Sequence, residues 1–289
     1  MEDIILFCKS YHQDAKRFRR LAESVRRYNR EAIPLYVAYP QADEEHFTET
    51  VREFGVTALH EEAILALTKA ASKAKEFAPL TPNVLQQVTK SEVWRLGICR
   101  NFVMIDSDSY FIRDFYRRDF LFDADTPYTI MNEGRHQRDW AARAGREKFL
   151  RQYTELRERG RKLFGREGLN FDFAPTPCIH SCKVWEALYE TYAKPRGISF
   201  YEQVVQYPCE TQWYGEFLLT HPVIRLIPRE PLFKAWGFRE QWEEGARLGE
   251  TEDVLAINYL GIVEQSNWNY DLDCYRRPRR SWRTFFLKR

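Results

Sequence analysis

The opening sixty residues constrain the fold most. Ile4-Ile5-Leu6-Phe7-Cys8 is an unbroken apolar run, the composition of a strand covered on both faces. A helical stretch from Asp14 through Asn29 follows, with Phe18, Leu21 and Val25 on one face and a row of arginines on the other. Pro34 to Ala38 reads as a second strand and Val56 to Leu59 as a third. Between them Asp43 to Phe54 reads as a helix opened by Asp43, with Glu44 and Glu45 in its first turn. Strand, helix, strand, helix, strand predicts an α/β fold with a mostly parallel sheet and right-handed crossovers. Ligands of such sheets bind beyond the strand C-termini, so Lys9, Ser10 and Tyr11 are placed to meet one. No glycine-rich phosphate loop follows the first strand.

A later stretch carries the chemistry. Asn101-Phe102-Val103-Met104-Ile105-Asp106-Ser107-Asp108-Ser109-Tyr110 is an apolar strand pattern that ends in two carboxylates one residue apart. Side chains alternate along a strand, so Asp106 and Asp108 can project the same way, and hard carboxylate oxygens there suit Mg²⁺ or Mn²⁺. An acidic turn closing a strand has the same sequence, because Asp is a favoured turn residue. The surrounding chain has to decide between them.

Composition narrows the classes. The 289 residues are 44% hydrophobic and 30% charged, as expected of a globular protein. Formal charge is only +2, so no global field marks a nucleic-acid binder. The aromatic fraction of 15% allows a large core and also suits a cleft that stacks sugars or bases. The 6 cysteines are scattered without the paired spacing of a zinc site, and no apolar run approaches the roughly 18 residues of a spanning helix. With no signal-peptide pattern at the start, the expectation is a cytoplasmic protein with reduced thiols.

Between the third strand and Asn101, Glu61 to Phe77 reads as a helix broken by Pro79 and Pro82. A buried helix over residues 84 to 97 then carries Lys90 and Arg95, either as solvated charges or close to the ligand edge of the sheet. Pro127 to Met131 predicts a strand that delivers Asn132, Glu133 and Gly134 beyond its end. Residues 135–166 are intensely charged and read as an exposed helical insertion. His180, alone at a strand end, is assigned no role. Cys209 to Leu219 reads as a helix in which Glu210 and Glu216 are six apart, so only one of them is expected to face a cleft. Trp213 and Glu216 share a face, joining a stacking platform to a potential base. Residues 222–227 read as a strand, 228–237 as a rigid loop bearing Lys234, and 251–260 as a helix. The segment 276–289 contains no acid, and can sit on anionic lipid or pack back on an acidic surface.

Taken together, the βαβαβ start, Gln86-Gln87-x-x-Lys90-Ser91-Glu92-x-Trp94-Arg95-Leu96-Gly97 and Asp106-Ser107-Asp108-Ser109-Tyr110 resemble the GT-A glycosyltransferases, which use nucleotide-sugar donors. A bacterial family of uncharacterised glycosyltransferase-like proteins is closer still. Its runs resemble Phe7-Cys8-Lys9-Ser10-Tyr11, Thr176-Pro177, Trp213-Tyr214-Gly215-Glu216, Pro231-Leu232-Phe233-Lys234, Asn258-Tyr259-Leu260-Gly261 and Gln265-Ser266-Asn267-Trp268. The resemblance implies a GT-A-like domain over 1–275, with a nucleotide-binding half at 1–110, an acceptor-side half at 127–275 and a basic tail at 276–289. It implies that Lys9, Ser10 and Tyr11 line the nucleotide pocket, that Asp106 and Asp108 hold the ribose and a Mn²⁺ or Mg²⁺ on the diphosphate, and that Lys90, Arg95 and Lys234 add positive charge. Glu216 matches the place of a general base, with Glu133, Trp213 and Tyr214 on the acceptor side. A further metal ligand, often His, is common late in GT-A chains, but no His follows His221 here.

The activity so implied is sugar transfer from a nucleotide-diphosphate donor to a hydroxyl of a bacterial surface glycan or glycolipid, with contact to the membrane through the basic tail and none with nucleic acid. A nucleotidyltransferase would also need metal-binding aspartates, yet its glycine-rich loop is absent. A non-catalytic sugar- or nucleotide-binding protein on the same fold is the alternative outside the enzymes.

Overall fold

A computed structural model describes residues 1–73 and 80–266. Its first strand, β1 (Glu2–Lys9), leads through a short helical turn into α1 (Ala15–Tyr28), and β2 (Leu35–Tyr39), α2 (Glu44–Phe54) and β3 (Thr57–His60) follow. Then come α3 (Glu61–Ala71), α4 (Pro82–Ser91) and β4 (Cys99–Asp106). The sheet order is β3-β2-β1-β4, all parallel, with the strand Cys178–Ser181 antiparallel at the β4 edge.

The unbroken apolar runs are explained by alternation. Ile4, Leu6 and Cys8 of β1 pack with Phe18, Leu21 and Phe47 under α1 and α2, while Ile5 and Phe7 face the opposite layer with Val93, Trp185 and Phe217. Both faces of the strand are therefore dry. A second sheet joins β5 (Ser109–Phe111), antiparallel to Gly261–Glu264, which runs parallel to Phe233–Trp236. It brings the late part of the chain against the turn that follows β4.

Several expectations are corrected. Asp43 precedes α2 without capping it; its carboxylate accepts from the His12 backbone N–H at 2.8 Å, tying the α1 entry to the α2 entry. Pro82 starts α4 instead of breaking a helix, because a first-turn proline lacks only an N–H that would have no helical partner. The helix from Glu61 ends at Ala71, and Phe77 lies outside the described residues. The expected strand Pro127 to Met131 is instead two short pieces, Thr126–Pro127 and Thr129–Ile130, that pair with different partners. Residues 222–227 are irregular, and the strand Pro228–Arg229 beyond them pairs with Thr129–Ile130. Phe233–Trp236 is a strand where a loop was expected, and the helix near 251–260 is the single turn Glu252–Leu255.

The charged insertion is a hairpin of two helices, α5 (Arg135–Arg143) and α6 (Glu147–Leu163). It is not wholly exposed. Gly160 of α6 is buried, and a Cβ there would run into Gln212 and Tyr207 around the helix Glu210–Thr220. The boundary at residue 275, the basic tail and the Asn267-Trp268 motif lie outside the described residues.

Candidate active site

In a sheet of order 3-2-1-4, the chain leaves β1 on one side and returns to β4 on the other, which opens a crevice beyond their C-terminal ends. Those ends are level. Lys9, last in β1, pairs directly with Asp106, last in β4. Thr176 secures the strand end: its hydroxyl accepts from the Asp106 N–H at 3.2 Å and donates to the Met104 carbonyl at 2.9 Å.

The turn after Asp106 is clamped by the second sheet. The Asp108 carbonyl accepts from the Glu264 N–H at 3.0 Å, and its Oδ2 accepts from the Ser266 N–H at 2.8 Å. Its Oδ1 is buried without a hydrogen-bond partner. Burial, followed by the charge of Asp106, pushes the Asp108 carboxyl up to about 7 against the lowering effect of the Ser266 N–H. A buried anion short of partners is costly unless a cation completes it.

Lys90 supplies one cation on the other side. Its Nζ lies 2.6 Å from Asp106 Oδ1 and 3.7 Å from Glu210 Oε1. Burial disfavours the ammonium, but the two carboxylates outweigh it and hold Lys90 protonated, above the ordinary lysine range. Glu210 is raised by its own burial and lowered by Lys90. Asp14 joins the cluster through a side-chain hydrogen bond with Ser107; burial raises its carboxyl and Arg17, at 2.7 Å, opposes the rise.

Beside this cluster opens a cleft of about 970 Å³. Glu133, His136, Tyr153, Arg157, Asp172 and Lys234 stand in its wall, so the hairpin α5–α6 forms one side and the second sheet another. Ala174-Pro175 and Gln265, also in the wall, run straight into Thr176 and Ser266, which bond Asp106 and Asp108. The cleft therefore adjoins the aspartates. Lys234 donates to Glu250 at 2.9 Å, and Glu133 pairs with Arg135 at 2.9 Å while facing the open space.

The structure thus brings Lys9, Ser10, Lys90, Asp106 and Asp108 to one crevice, with Tyr11 half-buried at its edge and Lys234 and Glu133 across the cleft. Four expected residues lie elsewhere. Arg95 bonds Glu92 at 2.6 Å, stacks on Trp94 and Tyr189, and lines a second cleft of about 690 Å³ shared with Met1 and Cys99. That is the opposite end of β4, about 20 Å away along the strand.

Trp213 and Tyr214 are enclosed in the core, where Trp213 Nε1 donates to the Tyr207 carbonyl and the Tyr214 hydroxyl accepts from the Ser181 N–H. Glu216 has no exposed surface and is gripped by Arg166 through Nε at 2.5 Å and Nη2 at 2.9 Å, with Gln212 adding a third bond. A carboxylate so enclosed is not available to a substrate. Of the two glutamates on this helix it is Glu210 that reaches the site. Glu61 and Glu264 were not foreseen, because each arrives from a distant part of the chain with no local motif, and Asp14, close behind Lys9 in the chain, reads from the sequence only as the start of a helix.

Among models of protein families, that of a family of unknown function, DUF6492, matches residues 3–163, more than half of the chain. No curated protein matches the sequence. Among solved structures, the bifunctional glycosyltransferase WbbM in its apo form is similar with a TM-score of 0.54 and 12% identity, over 90% of this chain and 45% of that one. Mouse xyloside xylosyltransferase 1 is similar with a TM-score of 0.49 and 11% identity, over 91% of this chain and 98% of that one. Galactosyltransferase LgtC, solved with donor and acceptor sugar analogs, gives a TM-score of 0.48 and 13% identity over 91% and 84%. The sheet order and the WbbM likeness agree on the α/β fold, with a mostly parallel central sheet, of GT-A glycosyltransferases. The chain belongs to the DUF6492 family of unknown function.

Proposed function

We propose that the protein is a metal-dependent glycosyltransferase that moves a sugar from a nucleoside-diphosphate donor to a hydroxyl acceptor. The observation that carries this reading is the unpartnered Oδ1 of buried Asp108, one residue from Asp106 at the crevice of the sheet. The donor set fits Mn²⁺ or Mg²⁺. Two hard carboxylates suit an ion that takes its remaining ligands from substrate phosphates and water, and among the described residues no three His, Cys, Asp or Glu side chains are placed to hold an ion together. Such an ion, when bound, neutralises the charge that develops on the leaving diphosphate.

The chain's own residues do the rest. Lys90 fixes Asp106 and adds positive charge where phosphate would lie, and Ser266 and Thr176 hold the two aspartates in place through the backbone. The acceptor occupies the adjoining cleft, with Lys234 and the aromatic edge of Tyr153 in its wall. In the transfer the bond from the sugar C1 to the diphosphate oxygen breaks and the bond from C1 to the acceptor oxygen forms. The hydroxyl proton passes to Glu133, the cleft carboxylate we assign as base in place of the enclosed Glu216. A bacterial surface glycan or glycolipid, met at the cytoplasmic face, is the acceptor we infer.

A panel of nucleotide sugars incubated with the protein and Mn²⁺ tests the reading. Slow release of nucleoside diphosphate is expected, abolished in Asp108→Ala. Calorimetric binding of the same donors with no turnover, even in the presence of acceptor extracts, would instead identify a binding protein.

A further inference from the structure

Lys9 and Glu61 form an ion pair at the ends of β1 and β3, with Nζ 2.8 Å from Oε2 and side chains only 5% and 7% exposed. Glu61 heads α3 directly after β3. The strand ends form one level row: Asp106 pairs with Lys9, Lys9 with Ala38, and Ala38 with Leu59. From β4 to β3 is three interstrand steps, about 14 Å. That is the scale of a nucleoside diphosphate laid from its phosphates to its base.

The pair is incomplete. Glu61 Oε2 is met by Lys9 Nζ alone, which leaves one of its lone pairs and two of the ammonium's donors over, and the hydroxyl of Ser10, which follows Lys9 and is 1% exposed, makes no hydrogen bond. Buried polar groups almost always find partners, and a buried ion pair stabilises little unless its remaining sites are filled. A ligand edge that offers an acceptor beside two donors would fill them.

We propose that Lys9 and Glu61 read the donor base and that the base is guanine. The assignment rests on the nucleotide-sugar reading of the Asp106 and Asp108 site. Guanine presents O6, an acceptor for the Lys9 ammonium, next to N1–H and the N2 amine, two donors matched to the two oxygens of one carboxylate. Uracil offers a single N–H flanked by two carbonyls, so its second carbonyl would face the Glu61 carboxylate. Adenine and cytosine set an acceptor ring nitrogen against that carboxylate. A site built to bond a given edge rejects a base lacking it, because its own buried groups are then left unpaired.

Calorimetry on the full chain with Mn²⁺ compares GDP, UDP and IDP. GDP binds at least about tenfold more tightly than UDP, the worth of one charge-assisted hydrogen bond, and IDP, which lacks the N2 amine, falls between them. In Glu61→Gln, GDP affinity drops by a similar factor, UDP affinity holds or rises because no carboxylate then faces its second carbonyl, and the ratio approaches one. UDP binding as tightly as GDP to the unmodified protein, a result that requires no variant to fold, overturns the guanine assignment and leaves the nucleotide site standing. An unchanged ratio in a folded Glu61→Gln does the same. Failure of all three nucleotides to bind overturns both the assignment and the reading on which it rests.

Discussion

The ammonium of Lys90 is held 2.6 Å from the carboxylate of Asp106, sixteen residues away in sequence and one layer away in the fold. Because Glu210 lies 3.7 Å from the same ammonium, one cation serves two carboxylates. Removing it should leave two anions facing each other in a poorly hydrated site. Lys90→Met is expected to cost about 3 kcal/mol, at the low end for breaking a buried pair because the Asp106 side chain remains 35% exposed. Urea denaturation measures it, and a loss below about 1 kcal/mol would show the pair to be screened like a surface bridge.

Glu216 should behave as a structural residue. Glu216→Gln leaves the Arg166 guanidinium without its bidentate partner at a fully buried position, and a loss of about 2–4 kcal/mol is expected. Any turnover per folded molecule should stay within about twofold of that of the unmodified protein. A hundredfold drop in kcat with an unchanged melting temperature would restore it as the base.

Asp108 makes stability fall as pH rises. Its carboxyl is protonated up to about pH 7 in the folded chain but only to about 3.8 when unfolded, so between those values the folded state binds the extra proton. Stability is greatest below the unfolded value and declines as pH climbs through 7. Asp108→Asn should therefore stabilise the metal-free protein at pH 8, by up to about 4 kcal/mol, and change little at pH 4. Thermal melts at the two pH values compare them. Mn²⁺ should raise the melting temperature more at pH 8 than at pH 5.5, since protons compete with the ion for the same oxygens.

His180 acts in the opposite sense. Burial, aided by the charge of Lys90, lowers its pKa to about 3, and its Nδ1 accepts from Trp185 Nε1 at 3.2 Å. The unfolded chain takes up a proton near pH 6.5 and the folded chain does not, so stability present above 6.5 is lost as pH falls toward 3. His180→Gln, which can keep the acceptor, should flatten that acid limb. An equally steep loss between pH 6.5 and 3 in the variant would assign the limb to other groups.

Gly215 reverses the usual helix rule. Glycine to alanine inside a helix commonly gains about 1 kcal/mol, yet a Cβ at Gly215 would fall on the ring of Phe173. Gly215→Ala is expected to destabilise by about 2 kcal/mol or more, because the buried ring has to shift. A rise in melting temperature would mean that Phe173 can move at no cost.

The alternation of β1, α1, β2, α2 and β3 was legible because each element repeats at its own period within ten or fifteen residues. The strand that ends at Asp106 was legible for the same reason. The elements from residue 222 onward were misread because those strands are two to four residues long, too short to show a period, and are created by pairing with β5 and with Thr129–Ile130. Trp213-Tyr214-Gly215-Glu216 misled for a different reason. An acidic and aromatic helix reads alike whether it lines a cleft or fills a core, and here all four residues are buried.

The sequence by itself determined the parallel α/β layout and the strand end where Asp106 and Asp108 stand, since local periodicity and side-chain alternation are properties of a single segment. Only the tertiary structure decided which groups meet them. Lys90 and Glu210 approach from one side, the Ser266 N–H from another, and Glu61 reaches Lys9 across two strands. Those contacts join residues 16 to 158 positions apart, and the burial that makes them strong exists only once the layers have packed.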